Sequence, residues 1–444
     1  MNKTFFYPLL FLLLSLLISR PAPVCADSPP GPLTLQDCVG IALANNPAGR
    51  VAAAQVQITR EGVGEAQAPY YPEIGLQARY GRFQTHAFFP DWVRIPSGSA
   101  PVVGPTNDWL GGLRARYTLY DFGERAARVL SARARQGVAE EEGLRVSQDI
   151  ILGVYNGFFG LTSALEARKV ADQNLERTRD HLRLTRERKE AGAVPKADVL
   201  RAQVEVSNAE LALVRAENLI RLARGQLNVS LGRPVEQPTE ISPGTPTVFN
   251  PNRIDLDRAF RHAAASRPEI KAAFQKIEHS KSKIQEAQSA YGPRLRAEGT
   301  FGWRDSDFLP QDQDWLIGVS LEWPLFTGFA RQHRLAQAKA DLVKEEAEAD
   351  RLNLTVRQEV WNAHSRLLEA YQALATAEIL VRDALESQRL ARERYEAGAG
   401  TVTDLLDAQT ALARAQASQV EANWDYQIAL AQFKRATGRL GADE

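Results

Sequence analysis

The chain has 444 residues, with 54 basic side chains balanced by 54 acidic ones, and this excludes the electropositive footprint that nucleic-acid binding needs. Its six histidines are scattered, with no HExxH and no phosphate-cradling glycine loop after a strand, so no catalytic constellation, metal site or cofactor is expected. At the start, Lys3, an apolar stretch (Phe5–Ser19), Arg20 and "APVCA" read as a secretory signal over residues 1–26, cleaved after Ala26. The stretch is short for a membrane-spanning helix, which leaves an N-terminal anchor as the alternative. Lipidation at Cys25 is a further option, although Ala22-Pro23-Val24-Cys25 departs from the lipoprotein pattern Leu-Ala/Ser-Gly/Ala-Cys. Without the signal the chain stands two charges on the acidic side and keeps only Cys38, which lies at helical spacing with Leu35, Ile41 and Ala42 and reads as a small buried filler.

Helical composition begins at about residue 35 and runs to 67. A weak period-two stretch follows at 73–82, with Ile74, Leu76, Ala78 and Tyr80 against Gln77 and Arg79. After a loop at about 83–107, residues 108–120 alternate clearly: Trp109, Leu113, Ala115, Tyr117 and Leu119 against Gly112, Arg114, Arg116 and Thr118. Period two marks a strand with one apolar and one polar face. Residues 124–190 hold no proline and are rich in Ala, Leu, Glu, Arg and Gln, the strong helix formers. At about 1.5 Å per residue this predicts a helix of roughly 100 Å, the length of a coiled-coil element. A shorter helix is expected at 195–231, then a connector at 232–254 carrying five prolines.

The same order then returns. A helix is expected at about 255–290, alternating strands at 293–304 and 314–325, a second long helix at 328–397 and a shorter one at 401–437. "ERKEAGAVPKADVLRAQVEV" (187–206) and "ERYEAGAGTVTDLLDAQTAL" (393–412) are near-copies at an offset of 206 residues, which also pairs "DWLGGL" with "DWLIGV". An offset of 221 pairs "NNP" (45–47) with "SRP" (266–268), and Pro72 with Pro293. The chain is thus read as an internal duplication, 27–231 and 255–444. Each long helix nearly matches two short ones laid end to end. The strands are about 10 residues long with aromatics near their ends, the outer-membrane strand signature. Trp109, Tyr117, Trp303, Trp315 and Trp323 would face lipid, while Arg79, Arg114, Arg116 and Arg296, with Arg294 and Arg304, would line a lumen that favours anions. Four strands cannot enclose a barrel, and lipid tolerates no open edge, so several chains must share one barrel.

In order and spacing, "LTLQDCVGIALANNP" (33–47), "YYPEI" (70–74), "WPLFTGF" (323–329) and the doubled "EAGA" tips resemble the TolC-like outer-membrane efflux family over nearly the whole mature chain. The resemblance implies a mainly α fold with a membrane β-barrel: a homotrimer with twelve strands in outer-membrane lipid and a helical tunnel across the periplasm. It also implies a periplasmic adaptor and an inner-membrane pump as partners. Asp198, Tyr395, Asp404 and Asp407 match family positions that close the periplasmic mouth, and Asp404 and Asp407, three apart on one helix face, would form carboxylate rings that raise their own pKa values. The family's hairpin-tying arginine is replaced by Gly400, and Arg201 is the candidate substitute. Gly192 and Gly398 are expected to end the long helices, and with Val194 and Gly400 to form tips that dock an adaptor. A soluble periplasmic coiled-coil scaffold would share the helices but has no need of lipid-length alternating strands.

Overall fold

The computed structural model describes residues 31–86, 102–244 and 248–441. The expected signal, Cys25 and residues 87–101 of the first strand-joining loop lie outside them. Six elements occur twice in the same order: helices α1 (Leu35–Asn45) and α2 (Pro47–Gln67), strands β1 (Glu73–His86) and β2 (Val102–Tyr120), helices α3 (Glu124–Glu190) and α4 (Lys196–Ser230). Then come α5 (Leu256–Ser266), α6 (Pro268–Ser289), β3 (Arg294–Asp305), β4 (Gln313–Glu322), α7 (Ala330–Glu396) and α8 (Val402–Ala436).

Both long helices run for 67 residues, within two residues of the sequence expectation at each end. Each ends in the same way: Gly192 and Gly398 take φ of +76° and +75°, and the next residue's N–H returns to the carbonyl five residues earlier (Ala193 to Arg188, 2.9 Å; Ala399 to Arg394, 2.8 Å). A left-handed residue just past the last turn suits glycine because it has no Cβ to clash. The single helices expected at 35–67 and 255–290 are each broken. A residue before proline is pushed out of the helical region. Asn46 and Arg267 accordingly take extended conformations, ψ 126° and 129°, and Pro47 and Pro268 start the next helix. Asn46 caps its helix by accepting from the Ala48 N–H at 2.9 Å.

Packing follows the lengths. Along α3, α2 and α4 lie on one flank and α6 and α8 on the other, while α7 packs on α6 and α8. The core sits at mid-height, where Val154, Phe158 and Leu161 of α3 meet Cys38, Leu227, Leu231 and Trp424. A second cluster joins Ala263, Val356, Val360, Leu367 and Tyr426. Cys38 is 0% exposed and burial drives its thiol up to about 12, so it is an inert filler. One stretch of α3 is long and apolar enough to cross a bilayer, but more than half of it is buried in the fold. The connector is held down by Leu33 pairing with Ile241, and by the Tyr426 hydroxyl, which accepts from Phe249 N (2.8 Å) and donates to Phe249 O (2.6 Å).

The four strands form one antiparallel sheet in the order β1-β2-β3-β4. Directly opposed residues share a face. The register therefore gathers Tyr80, Trp109, Tyr117, Trp303 and Trp315 on one side. Arg79, Arg114, Arg116, Arg296 and Arg304 gather on the other. The end of the last strand, expected at 325, is a correction: β4 stops at Glu322, and Trp323 follows it, exposed, its indole N–H donating to Tyr291 O at 3.1 Å. Proline at 324 limits its predecessor and supplies no ladder donor, which fits the strand's ending there.

Candidate functional site: a lined sheet and a hairpin mouth

Every arginine on the polar face of the sheet is ion-paired. Asp108 receives Arg304 (2.6 Å) and Arg79 (2.9 Å), Glu298 receives Arg114 (2.6 Å) and lies 3.8 Å from Arg116, and Glu322 receives Arg296 (3.0 Å). Arg294 pairs with Glu124 at the head of α3 (2.6 Å). Glu73 and Asp314 stand on the same face. The sequence reading set these arginines against Glu298 and Glu322; the structure adds Asp108 and Glu124, so that each guanidinium has a carboxylate beside it. The sequence showed both charges, but only the strand register shows which ones meet. The apolar face presents Leu76, Trp315, Ile317, Val319 and Leu321 outward, all exposed. Tyr80, Trp109 and Phe308 form an aromatic cluster at the loop end, with centroids 4.2 and 5.0 Å apart.

At the far end of the helices, the hairpin tips bring the other residues together. Tyr395 is 4% exposed and packs with Val402, Leu405 and Leu184. The sequence reading missed its principal partner. Arg188 of α3 donates to the carbonyls of Tyr395 (3.0 Å) and Glu396 (3.1 Å), and its guanidinium lies 4.6 Å from the Tyr395 ring centroid. These carbonyls end α7, where the helix leaves acceptors unpaired and a cation is favoured. Arg188 therefore clasps the second hairpin to the first. Its only sequence signal is that "ER" opens both copies of the tip motif. His181 lies against Tyr395, rings 5.6 Å apart, and burial together with the Arg188 charge holds its pKa below the ordinary histidine value.

Asp198 and Arg201 do meet, at 3.7 Å, but on one turn of one helix. Asp404 accepts from the Thr401 N–H (3.1 Å) while Thr401 accepts from the Asp404 N–H (3.1 Å), a capping box that starts α8. These bonds from Thr401, side chain and backbone, hold the Asp404 carboxyl below its usual range within one copy. Asp404, Asp407 and Gly400 line one shallow groove with Arg394. A Cβ at Gly400 would meet the Arg394 Cβ and the Tyr395 N at 3.2 Å, so this turn is packed against α7. Val194 is half-buried beside the glycine tip. Among the described residues, no His, Cys, Asp and Glu group is placed to hold a metal ion.

A membrane-type sheet standing on 100 Å-class helices defines an outer-membrane channel protein. The family model described as "Outer membrane efflux protein" matches residues 38–233 and 259–439, and the chain belongs to that family. It is 28% identical over 403 residues to Protein CyaE of Bordetella pertussis, covering 88% of this chain and 81% of that one. It is 20% identical over 417 residues to outer membrane protein TolC of Escherichia coli, covering 90% and 81%. Its fold superposes on the outer-membrane channel OprN with a TM-score of 0.78 at 22% identity, over 91% of this chain and 89% of that one. The protein is accordingly an outer-membrane exit duct with a long periplasmic helical part.

Proposed function

We propose that three copies close one twelve-stranded barrel, and that the resulting duct takes substrate from an inner-membrane pump through a periplasmic adaptor. The single observation that carries this is the sheet. It has an apolar face turned outward, an ion-paired polar face and free edges at β1 and β4, and lipid forbids such edges. In the same reading, residues 1–26 are a removed signal, 27–231 and 255–444 are twin halves, and 232–254 joins them. Membrane fractionation tests it: a heat-modifiable trimer in the outer membrane is expected. Release into the soluble periplasmic fraction would support the scaffold alternative instead.

The periplasmic mouth is the proposed gate. Arg188 and Tyr395 lock the two hairpins of one copy together. At the 206-residue offset Arg394 is the counterpart of Arg188, and it stands exposed beside Asp404 and Asp407, facing the next copy in a ring. Asp198 and Arg201 brace the tip of α4. Asp404 and Asp407 supply threefold acidic rings that attract cations. Single-channel recordings of the Asp404→Ala/Asp407→Ala double variant should show altered conductance and reduced cation block; unchanged traces reject the rings. Gly192, Val194, Gly398 and Gly400 form the adaptor-facing tips. Val194→Arg should reduce crosslinking to the adaptor while leaving the trimer intact.

A further inference from the structure

Each copy contains one complete seam between its two halves and the two sides of another. The complete seam is β2 against β3. There Gly112 lies opposite Gly302, so close that a Cβ on either would be 2.6 Å from the other's Cα. Below the sheet, Phe122 packs its ring directly on Gly292, leaving no room for a side chain there.

The junctions that flank this seam are built twice. Arg125 stacks over Tyr70 (4.8 Å) and donates to Pro69 O (3.1 Å) and Leu119 O (3.5 Å). Arg331 stacks over Tyr291 (5.1 Å) and donates to Ala290 O (3.2 Å) and Leu325 O (3.0 Å). These pairs obey the two sequence offsets, 206 for the strand-to-helix turn and 221 for the helix-to-strand turn. Applied to the glycine pair, the offsets carry Gly112 to residue 318 and Gly302 to residue 81, and both are glycine. Within one copy a Cβ at Gly81 meets nothing within 4 Å, and one at Gly318 meets only Leu316 of its own strand, at 3.8 Å. The offsets also carry Phe122 to Gly328 and Gly292 to Tyr71, exchanging large for small. Gly328 has open space around its Cβ position, and Tyr71 is 72% exposed.

We propose that β4 of one copy pairs with β1 of the next in the register these glycines set: Gly318 opposite Gly81, Ser320 opposite Arg79 and Glu322 opposite Gln77, with Tyr71 of the next copy seated over Gly328. This rests on the ring reading above. The physical reason is curvature. On the polar face the strands coil until no Cβ fits, and a closed ring needs that bend at every equivalent seam. A one-residue slip would turn polar side chains to the apolar face. A two-residue slip keeps the faces but sets Gly318 against Arg79 or Phe83, long side chains at the point of closest approach.

The test uses the full-length protein in its membrane, with Cys25 and Cys38 replaced by Ser. Residues directly opposite lie about 5 Å apart and diagonal neighbours about 7–8 Å, whereas a disulfide needs Cα atoms about 4–7 Å apart. Ser320→Cys with Arg79→Cys should therefore turn most chains into a covalent trimer on non-reducing gels, and Ser320→Cys with Gln77→Cys or Gly81→Cys should not. A native trimer that crosslinks preferentially through Gln77→Cys or Gly81→Cys, or through none of the three, overturns the register and leaves the ring standing. Absence of any oligomer overturns both. Gly328→Phe alone should weaken the trimer, and Gly328→Phe with Tyr71→Gly should restore it. The backbone permits this exchange, since Phe122 already adopts φ +54° at the twin position. Failure of the double variant to recover removes the Tyr71 seat.

Discussion

Arg188 shows how much one side chain carries at the mouth. It makes two charge-assisted hydrogen bonds to the end of α7 and a cation–π contact with Tyr395. Arg188→Ala should loosen the two hairpins by about 2 kcal/mol, the usual worth of hydrogen bonds to a charged group. The expected readout is a raised single-channel conductance, and Arg188→Lys should not restore the wild-type value because an ammonium cannot reach both carbonyls with one planar fork. His181 adds a pH dependence. Burial first, then the Arg188 charge, holds its folded pKa below the unfolded value. The stability it permits is fully present above about pH 6.5 and declines as pH falls through the unfolded pKa towards the folded one. Conductance should therefore rise on acidification below about pH 6.5, and His181→Gln should flatten that response. The family resemblance pointed to Tyr395 and the aspartates, but the sequence could not show Arg188. A clasp between residues some 207 positions apart has no local pattern.

At the scale of elements, the helix breaks at Asn46–Pro47 and Arg267–Pro268 are written in the sequence as a proline after a capping or charged residue. Only the fold shows why the second is costly to disturb. Arg267 is 3% exposed and lies between Glu359 (2.5 Å) and Glu269 (3.0 Å), while Arg435 reaches Glu269 at 2.9 Å and Asp149 at 2.7 Å. Burial pushes the Glu269 carboxyl up, but the hydrogen bonds and charges of Arg267 and Arg435 outweigh it and bring it down to about 2. Its stabilisation is thus complete above the ordinary carboxylate pKa and is lost as pH falls towards about 2. Arg267→Ala removes the buried cation between two carboxylates, of which Glu269 keeps Arg435 and Glu359 is half-exposed. It should cost about 2 kcal/mol, read as a lowered thermal midpoint of the assembled protein. Trp323 teaches the complementary lesson. Alternation ran through it in the sequence, yet Pro324 ended the strand one residue earlier and gave its indole a backbone acceptor instead.

For the whole molecule, ion selectivity is the property that sequence and structure divide between them. Asp108 holds two arginines, so Asp108→Asn should free Arg79 and Arg304 and shift the reversal potential towards anion selectivity, whereas the wild-type barrel should be only weakly selective. The period-two segments, proline-free runs and doubled tips determined by themselves the element types, the long helix boundaries, the two-faced sheet and the duplication, because these follow from local spacing and backbone chemistry. Tertiary structure alone decided which carboxylate neutralises which arginine and that Arg188 joins the hairpins. Those outcomes depend on strand register and on contacts hundreds of residues apart, and no short-range periodicity encodes them.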